Sequence, residues 1–215
     1  MIPMVSDTSD MLAVHNVFRD AMPQAPSLIG GVADGDQERA ALVASYYDNV
    51  LRFLAVHHEG EDVLLWPKLL ERLPEHADTI NEVASQHEDV HATVDAAISA
   101  VAAWGAAADS AAGAVASNAV LAVGDALFLH LTQEENEILP LCPLALTVQE
   151  WGEFPQHGTQ HFTGDKMWLV LGLIRDHMTS EQRDAMLEHM PPPAAEFWTT
   201  AGESMYRGFI EQLHR

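Results

Sequence analysis

His57-His58-Glu59-Gly60-Glu61-Asp62-Val63-Leu64-Leu65-Trp66-Pro67, residues 57–67, has a counterpart downstream. That counterpart is His130-Leu131-Thr132-Gln133-Glu134-Glu135-Asn136-Glu137-Ile138-Leu139-Pro140, residues 130–140. Both read His, three residues, Glu, an acid, two residues, two apolar residues, Pro. Residues i and i+4 lie one turn apart on the same helix face. His57 and Glu61 therefore point the same way, and so do His130 and Glu134. Each pair continues an apolar stripe, made by Leu42, Tyr46, Val50 and Phe53 before His57 and by Val120, Val123 and Leu127 before His130. Ligand-type side chains on a core-facing stripe predict helices that enclose a polar centre.

Two further stretches extend the pattern. His15 interrupts the stripe Met11, Leu12, Val14 and Phe18, and His87 and His91 sit four apart among Ile80, Val83, Val90, Val94 and Ile98. The spacing predicts helices over about 9–22, 36–73, 75–105 and 112–139. The Pro/Gly-rich stretch between the first two reads as a loop, and Gly105 with the following alanines reads as a small-residue link. No alternating strand and no Asn-Gly hairpin signal is present. The expected fold is all-α, a four-helix bundle over 1–141 with a C-terminal helical extension over 142–215 packed on it. In the extension, Thr147 to Glu150 and Thr179 to Gln182 read as capping boxes. Met167 to Ile174 is strongly apolar, and a last helix runs from about 194 to 213 with Trp198, Met205 and Phe209 aligned.

Composition narrows the function. Ten basic and 32 acidic residues give a net charge of −22, with 48% hydrophobic residues and 12 histidines. Such charge repels nucleic acid and anionic membranes. The single cysteine, Cys142, excludes a Cys-rich metal site and an internal disulfide. Neither a signal peptide nor a transmembrane helix is expected, so the chain reads as cytoplasmic.

Seven ligand-type side chains facing one interior cannot be left unpaired, because each unsatisfied group costs roughly 1–3 kcal/mol. A metal centre partners all of them: His15, His57, Glu61, His87, His91, His130 and Glu134. Imidazole with carboxylate suits iron, zinc or manganese. His76, His157, His161, His177, His189 and His214 lack the pattern and read as surface or packing residues. His58 lies about 100° around the helix from His57 and reads as adjacent to the site at most. The stretch His87-Glu88-Asp89-Val90-His91 also matches H-E-x-x-H, a zinc-protease signature. The further ligand that such proteases need is missing, and so is a strand to align a peptide, so Glu88 reads as a plain helix-face residue.

Taken together, His15, His57 with Glu61, His87 with His91, and His130 with Glu134 resemble the hemerythrin family, in particular its bacterial HHE cation-binding members. The resemblance covers about residues 10–141. It implies two iron ions in a non-haem di-iron centre, oxygen-bridged, with five histidines as terminal ligands, two bridging carboxylates and one open position. Some family members place the last carboxylate five residues after its histidine, which would select Glu135; the internal repeat selects Glu134. Two ligand carboxylates are fewer than the four of carboxylate-rich di-iron enzymes. The expected function is therefore binding of a small diatomic ligand, O2 or NO, by a monomer or homodimer, with no nucleic acid or membrane partner. The alternatives are an enzyme acting on peroxide or NO, and an iron donor for cluster repair.

Overall fold

A computed structural model describes residues 8–215, which are helical with no β-strand among them. The helices are α1 (Ser9–Ala21), α2 (Ala25–Gly30), α3 (Gln37–Leu64), α4 (Trp66–Arg72), α5 (Ala77–Ala107), α6 (Ser110–Gln133), α7 (Cys142–Ala145), α8 (Val148–Trp151), α9 (Glu153–His161), α10 (Met167–Asp176), α11 (Ser180–His189), α12 (Pro192–Phe197) and α13 (Glu203–Leu213). Helices α1, α3, α5 and α6 form a bundle around one core that includes Phe18, Tyr47, Leu54, Val90, Val94 and Leu127.

The helix ends follow from local chemistry. The Asp36 carboxylate accepts from the Arg39 backbone N–H at 3.0 Å and starts α3. Pro67 has no N–H to continue that helix, and the chain turns at Leu65 into α4. The expected single helix over 36–73 is thus two. Pro140 stands just beyond a π-helical turn over Glu134–Ile138, in which the Leu139 N–H reaches the Glu134 carbonyl at 2.9 Å. The expected loop after α1 contains α2, because proline is tolerated in a first helical turn and Leu28 and Ile29 bury themselves.

Gly105 lies inside α5 rather than in a link. A Cβ there would come within 2.7 Å of the Ala44 side chain, so glycine lets α5 close on α3. Ala108 turns the chain in a left-handed conformation (φ 50°), and the Asp109 side chain caps α6 by accepting from Ala112 N–H at 2.8 Å. By length and composition alone, Pro74–Ala107 and Ser110–Ile138 are apolar enough to cross a membrane. Core helices meet that test as readily as spanning ones, and these spans carry the buried side chains of His87, His130 and Glu134.

The extension lies against the bundle. Helix α9 packs on α3, and α10 packs on α1, α3 and α13. Leu169, Val170, Phe209 and Leu213 join the bundle core, each worth roughly 1.5–3 kcal/mol of burial. Polar contacts fix the register. Buried Asn49 accepts from the Lys166 backbone N–H at 2.8 Å and donates to Asp165 at 2.9 Å. Arg39 donates to the carbonyls of Gln212, at 2.6 Å, and of Leu213. Both predicted capping boxes, at Thr147 and Thr179, are formed.

At Gly60, α9 comes close to α3 beside Glu61: a Cβ there would sit 3.3 Å from the His157 ring. Gly60→Leu should lift α9 and cost about 1–3 kcal/mol by overpacking. Thermal denaturation and limited proteolysis near residues 153–161 check this. An unchanged melting temperature with no new cleavage contradicts it.

Candidate metal centre

Side chains from four helices converge at one level of the bundle. His15 comes from α1, His57, His58 and Glu61 from α3, His87 from α5, His130 from α6 and Glu134 from the π turn. Their donor atoms form two groups, each with all atoms within 4.8 Å of one another. One contains His15, His57, Glu61 and Glu134; the other contains His58, Glu61, His87 and His130. Glu61 belongs to both. Its Oε1 is 3.1 Å from His57 Nε2, and its Oε2 is 3.2 Å from His87 Nε2. Glu134 is placed alike, with Oε2 3.3 Å from His15 Nε2 and 3.7 Å from His130 Nε2. Each carboxylate therefore stands between a histidine of one group and a histidine of the other.

The donor set fits metal ions. His15 Nε2, His57 Nε2, both ring nitrogens of His58, and both oxygens of Glu61 and of Glu134 are buried and make no hydrogen bond of acceptable geometry. Left so, each would cost roughly 1–3 kcal/mol, and more where charged. Cations at the two groups would partner these converging atoms. Outer contacts hold the inward nitrogens in place, as second-shell partners of metal-binding histidines do. His15 Nδ1 lies 2.8 Å from Glu135, which Arg19 clamps at 2.6 and 3.0 Å. His87 Nδ1 lies 2.7 Å from Asp62, which also accepts from Trp66 Nε1 at 3.1 Å. His130 Nδ1 lies 3.2 Å from Gln86 Oε1.

The electrostatics reflect the crowding. Burial, with Glu134 beside it, pushes the Glu61 carboxyl up to about 7. Burial also opposes charge on His15, but the Glu134 and Glu135 carboxylates overcome it and push its pKa up to about 9. His57 and His58 are held well below the ordinary imidazole value by burial and by the histidines around them. Neutral His57 and His58 offer lone pairs directly, and at His15 and Glu61 a bound cation would replace the proton.

The structure brings together six of the seven expected residues. His91 is the exception: it is half-buried and groups with Asp62 and His87 on the outside, its ring 5.9 Å from His87. Its place is taken by His58, fully buried and stacked on His87 with ring centroids 4.2 Å apart. The reason is the position of α3, which has α1 on one side and α5 on the other. Consecutive residues about 100° apart can then each reach a different neighbour. His57 meets His15, and His58 meets His87 and His130. The doubled histidine in the sequence was the available signal. Glu134 lies inside and Glu135 outside, against His15. Glu88 is exposed, away from the centre. His157 packs against Gly60, its Nε2 4.0 Å from Glu59.

A family model described as the hemerythrin HHE cation-binding domain matches residues 6–142. The chain belongs to the hemerythrin HHE family. No curated protein and no solved structure matches it. The hemerythrin match takes in all seven convergent residues and ends at Cys142, before the C-terminal extension. The protein thus carries a hemerythrin-like cation-binding domain whose His/Glu clusters are compatible with metal binding.

His58→Ala should reduce bound metal by about half or more, since it removes a donor from one group, whereas His91→Ala and Glu88→Ala should leave the content near wild type. Metal analysis of purified variants checks this. Loss on His91→Ala with retention on His58→Ala would reverse the assignment.

Proposed function

We propose that this hemerythrin-like protein holds two iron ions, one in each donor group, and uses them to bind a small diatomic ligand, O2 or NO. The observation that carries the reading is the pair of buried carboxylates, each standing between the two groups, within a set of five histidines and two glutamates. Iron in such a set would supply reversible, redox-linked binding of a diatomic molecule. Two carboxylates and five imidazoles place less negative charge at the centre than a carboxylate-rich enzyme site does, which favours ligand binding over oxidative attack.

The chain's own residues set what can enter. His15, His58, Glu61, His130 and Glu134 have no exposed surface. Phe18 and Phe53 lie against His57 with ring centroids 5.6 and 6.5 Å away, and Trp66 lies 5.4 Å from His87. Apolar walls admit small neutral molecules and exclude charged or bulky ones. Val50, Val90, Val94 and Leu127, on the same stripes as the ligand-type side chains, are buried. The strongly acidic charge and the lone, buried Cys142 accord with a cytoplasmic protein that engages neither nucleic acid nor membrane.

Protein loaded anaerobically with ferrous iron should hold about two irons per chain. Exposure to O2 should change its near-ultraviolet spectrum, and removal of O2 should restore it. Irreversible oxidation with peroxide consumption would favour the enzyme reading instead. Tight binding of a single zinc with no uptake of iron would overturn the di-iron assignment.

A further inference from the structure

With ten basic residues against 32 acidic ones, an arginine near a cleft should find a carboxylate easily. Arg175, at the end of α10, and Arg183, in α11, have none: no ion pair engages either among the described residues. Both are half-buried and line a cleft of about 500 Å³ between α10, α11 and the C-terminal helices. Three carboxylates line the same cleft, and each is engaged. Asp176 accepts from the Tyr206 hydroxyl, Glu203 pairs with Arg207 at 2.5 Å, and Glu211 pairs with Arg215 at 2.8 Å. Asp176 keeps its charge in that bond, and Asp184 also acts on Arg175, but neither makes a direct ion pair with a guanidinium, so Arg175 and Arg183 keep donors free for an incoming anion.

Their positions are fixed by the fold. Arg175 donates from Nη1 to the Arg183 backbone carbonyl at 2.9 Å, and Arg183 donates from Nε to the Arg175 carbonyl at 2.7 Å. The Arg175 guanidinium lies 5.2 Å from the ring centroid of buried Trp198, a cation–π contact that orients it. Each guanidinium has five N–H donors, and each arginine uses one of them in these mutual bonds. Two like charges held together and partly desolvated repel, and the carboxylates of Glu203, Asp184 and Asp176 offset this only in part at Arg175. Burial holds the Arg175 guanidinium below its ordinary range, and Arg183 adds to that against the pull of Glu203, Asp184 and Asp176.

A second, independent observation marks the same place. Trp198 opens a π-helical turn, Trp198–Gly202, and π turns occur frequently at functional sites. The other π turn among the described residues is the one that carries Glu134 into the metal centre.

We propose that this cleft is a binding site for a small organic anion, whose carboxylate or phosphate group is held by Arg175 and Arg183 together. The guanidinium fork matches the geometry of both oxyanions. A volume of about 500 Å³ accommodates a small molecule and not a macromolecule. The site is separate from the metal centre and does not depend on what that centre binds.

Calorimetric titration of the full-length, metal-loaded protein with succinate and with inorganic phosphate, at low ionic strength, tests this. Saturable binding of either anion at one site per chain is expected, and the tighter of the two identifies the preferred group. Arg183→Gln should weaken it by about tenfold or more, the effect of losing a charged hydrogen bond. Arg52→Gln, which removes the same charge beside Asp48, should change it less than about twofold. Should Arg183→Gln fail to fold, Arg183→Lys keeps the charge without the fork and should still weaken binding. Absence of saturable binding by both anions, or equal losses in the Arg183 and Arg52 variants, overturns the proposal.

Discussion

Two carboxylates with no exposed surface, Glu61 and Glu134, are the constraint on which this structure depends. An isolated buried carboxylate costs several kcal/mol even after relaxation. Here each is flanked by imidazoles from two different helices at 3.1–3.7 Å. No single helix could satisfy either one. Helices α1, α3, α5 and α6 must therefore meet at one level, and α5 stays close to α3 as far as the other end of the bundle, where Gly105 lies against Ala44. The two prolines that follow the glutamates by six residues act in the same sense. Pro67 stands where regular α-helical bonding stops just past Glu61, at Leu65, and Pro140 stands just past the π turn that begins at Glu134, so that the chain can turn away from the centre at both.

Much of this was legible in the sequence, because i,i+4 spacing on an apolar stripe leaves little freedom in where a side chain points. His15, His57, Glu61, His87, His130 and Glu134 obey that rule and meet. His58 and His91 show its limit. A stripe argument assumes one inward face per helix, but α3 is flanked by α1 and α5, and so has two. His58 then turns inward from a position that a single stripe assigns to the flank. His91, although in register with His87, sits farther along α5 and groups with Asp62 at the outside. The π turn at Glu134 was likewise unreadable, since an i to i+5 bond depends on tertiary context rather than on local propensity.

The extension was legible as apolar and helical, with capping boxes at Thr147 and Thr179, but not in its placement. That depends on single polar contacts far apart in sequence, such as Asn49 with Lys166 and Arg39 with the end of α13. The result is a bundle in which the α3 segment that carries His57, His58 and Glu61 is covered by α9 at Gly60. The remaining extension helices contribute to the same core and enclose a cleft of their own. The cation-binding family model stops at residue 142, so this cover is what distinguishes the chain from the domain alone.

The most direct measurement of the central claim is an anomalous-difference map at the iron edge from crystals of the iron-loaded protein. The account predicts two peaks, one among His15, His57, Glu61 and Glu134 and the other among His58, Glu61, His87 and His130, with Glu61 touching both. A single peak, or a peak among Asp62, His87 and His91 with none beside His58, would contradict it.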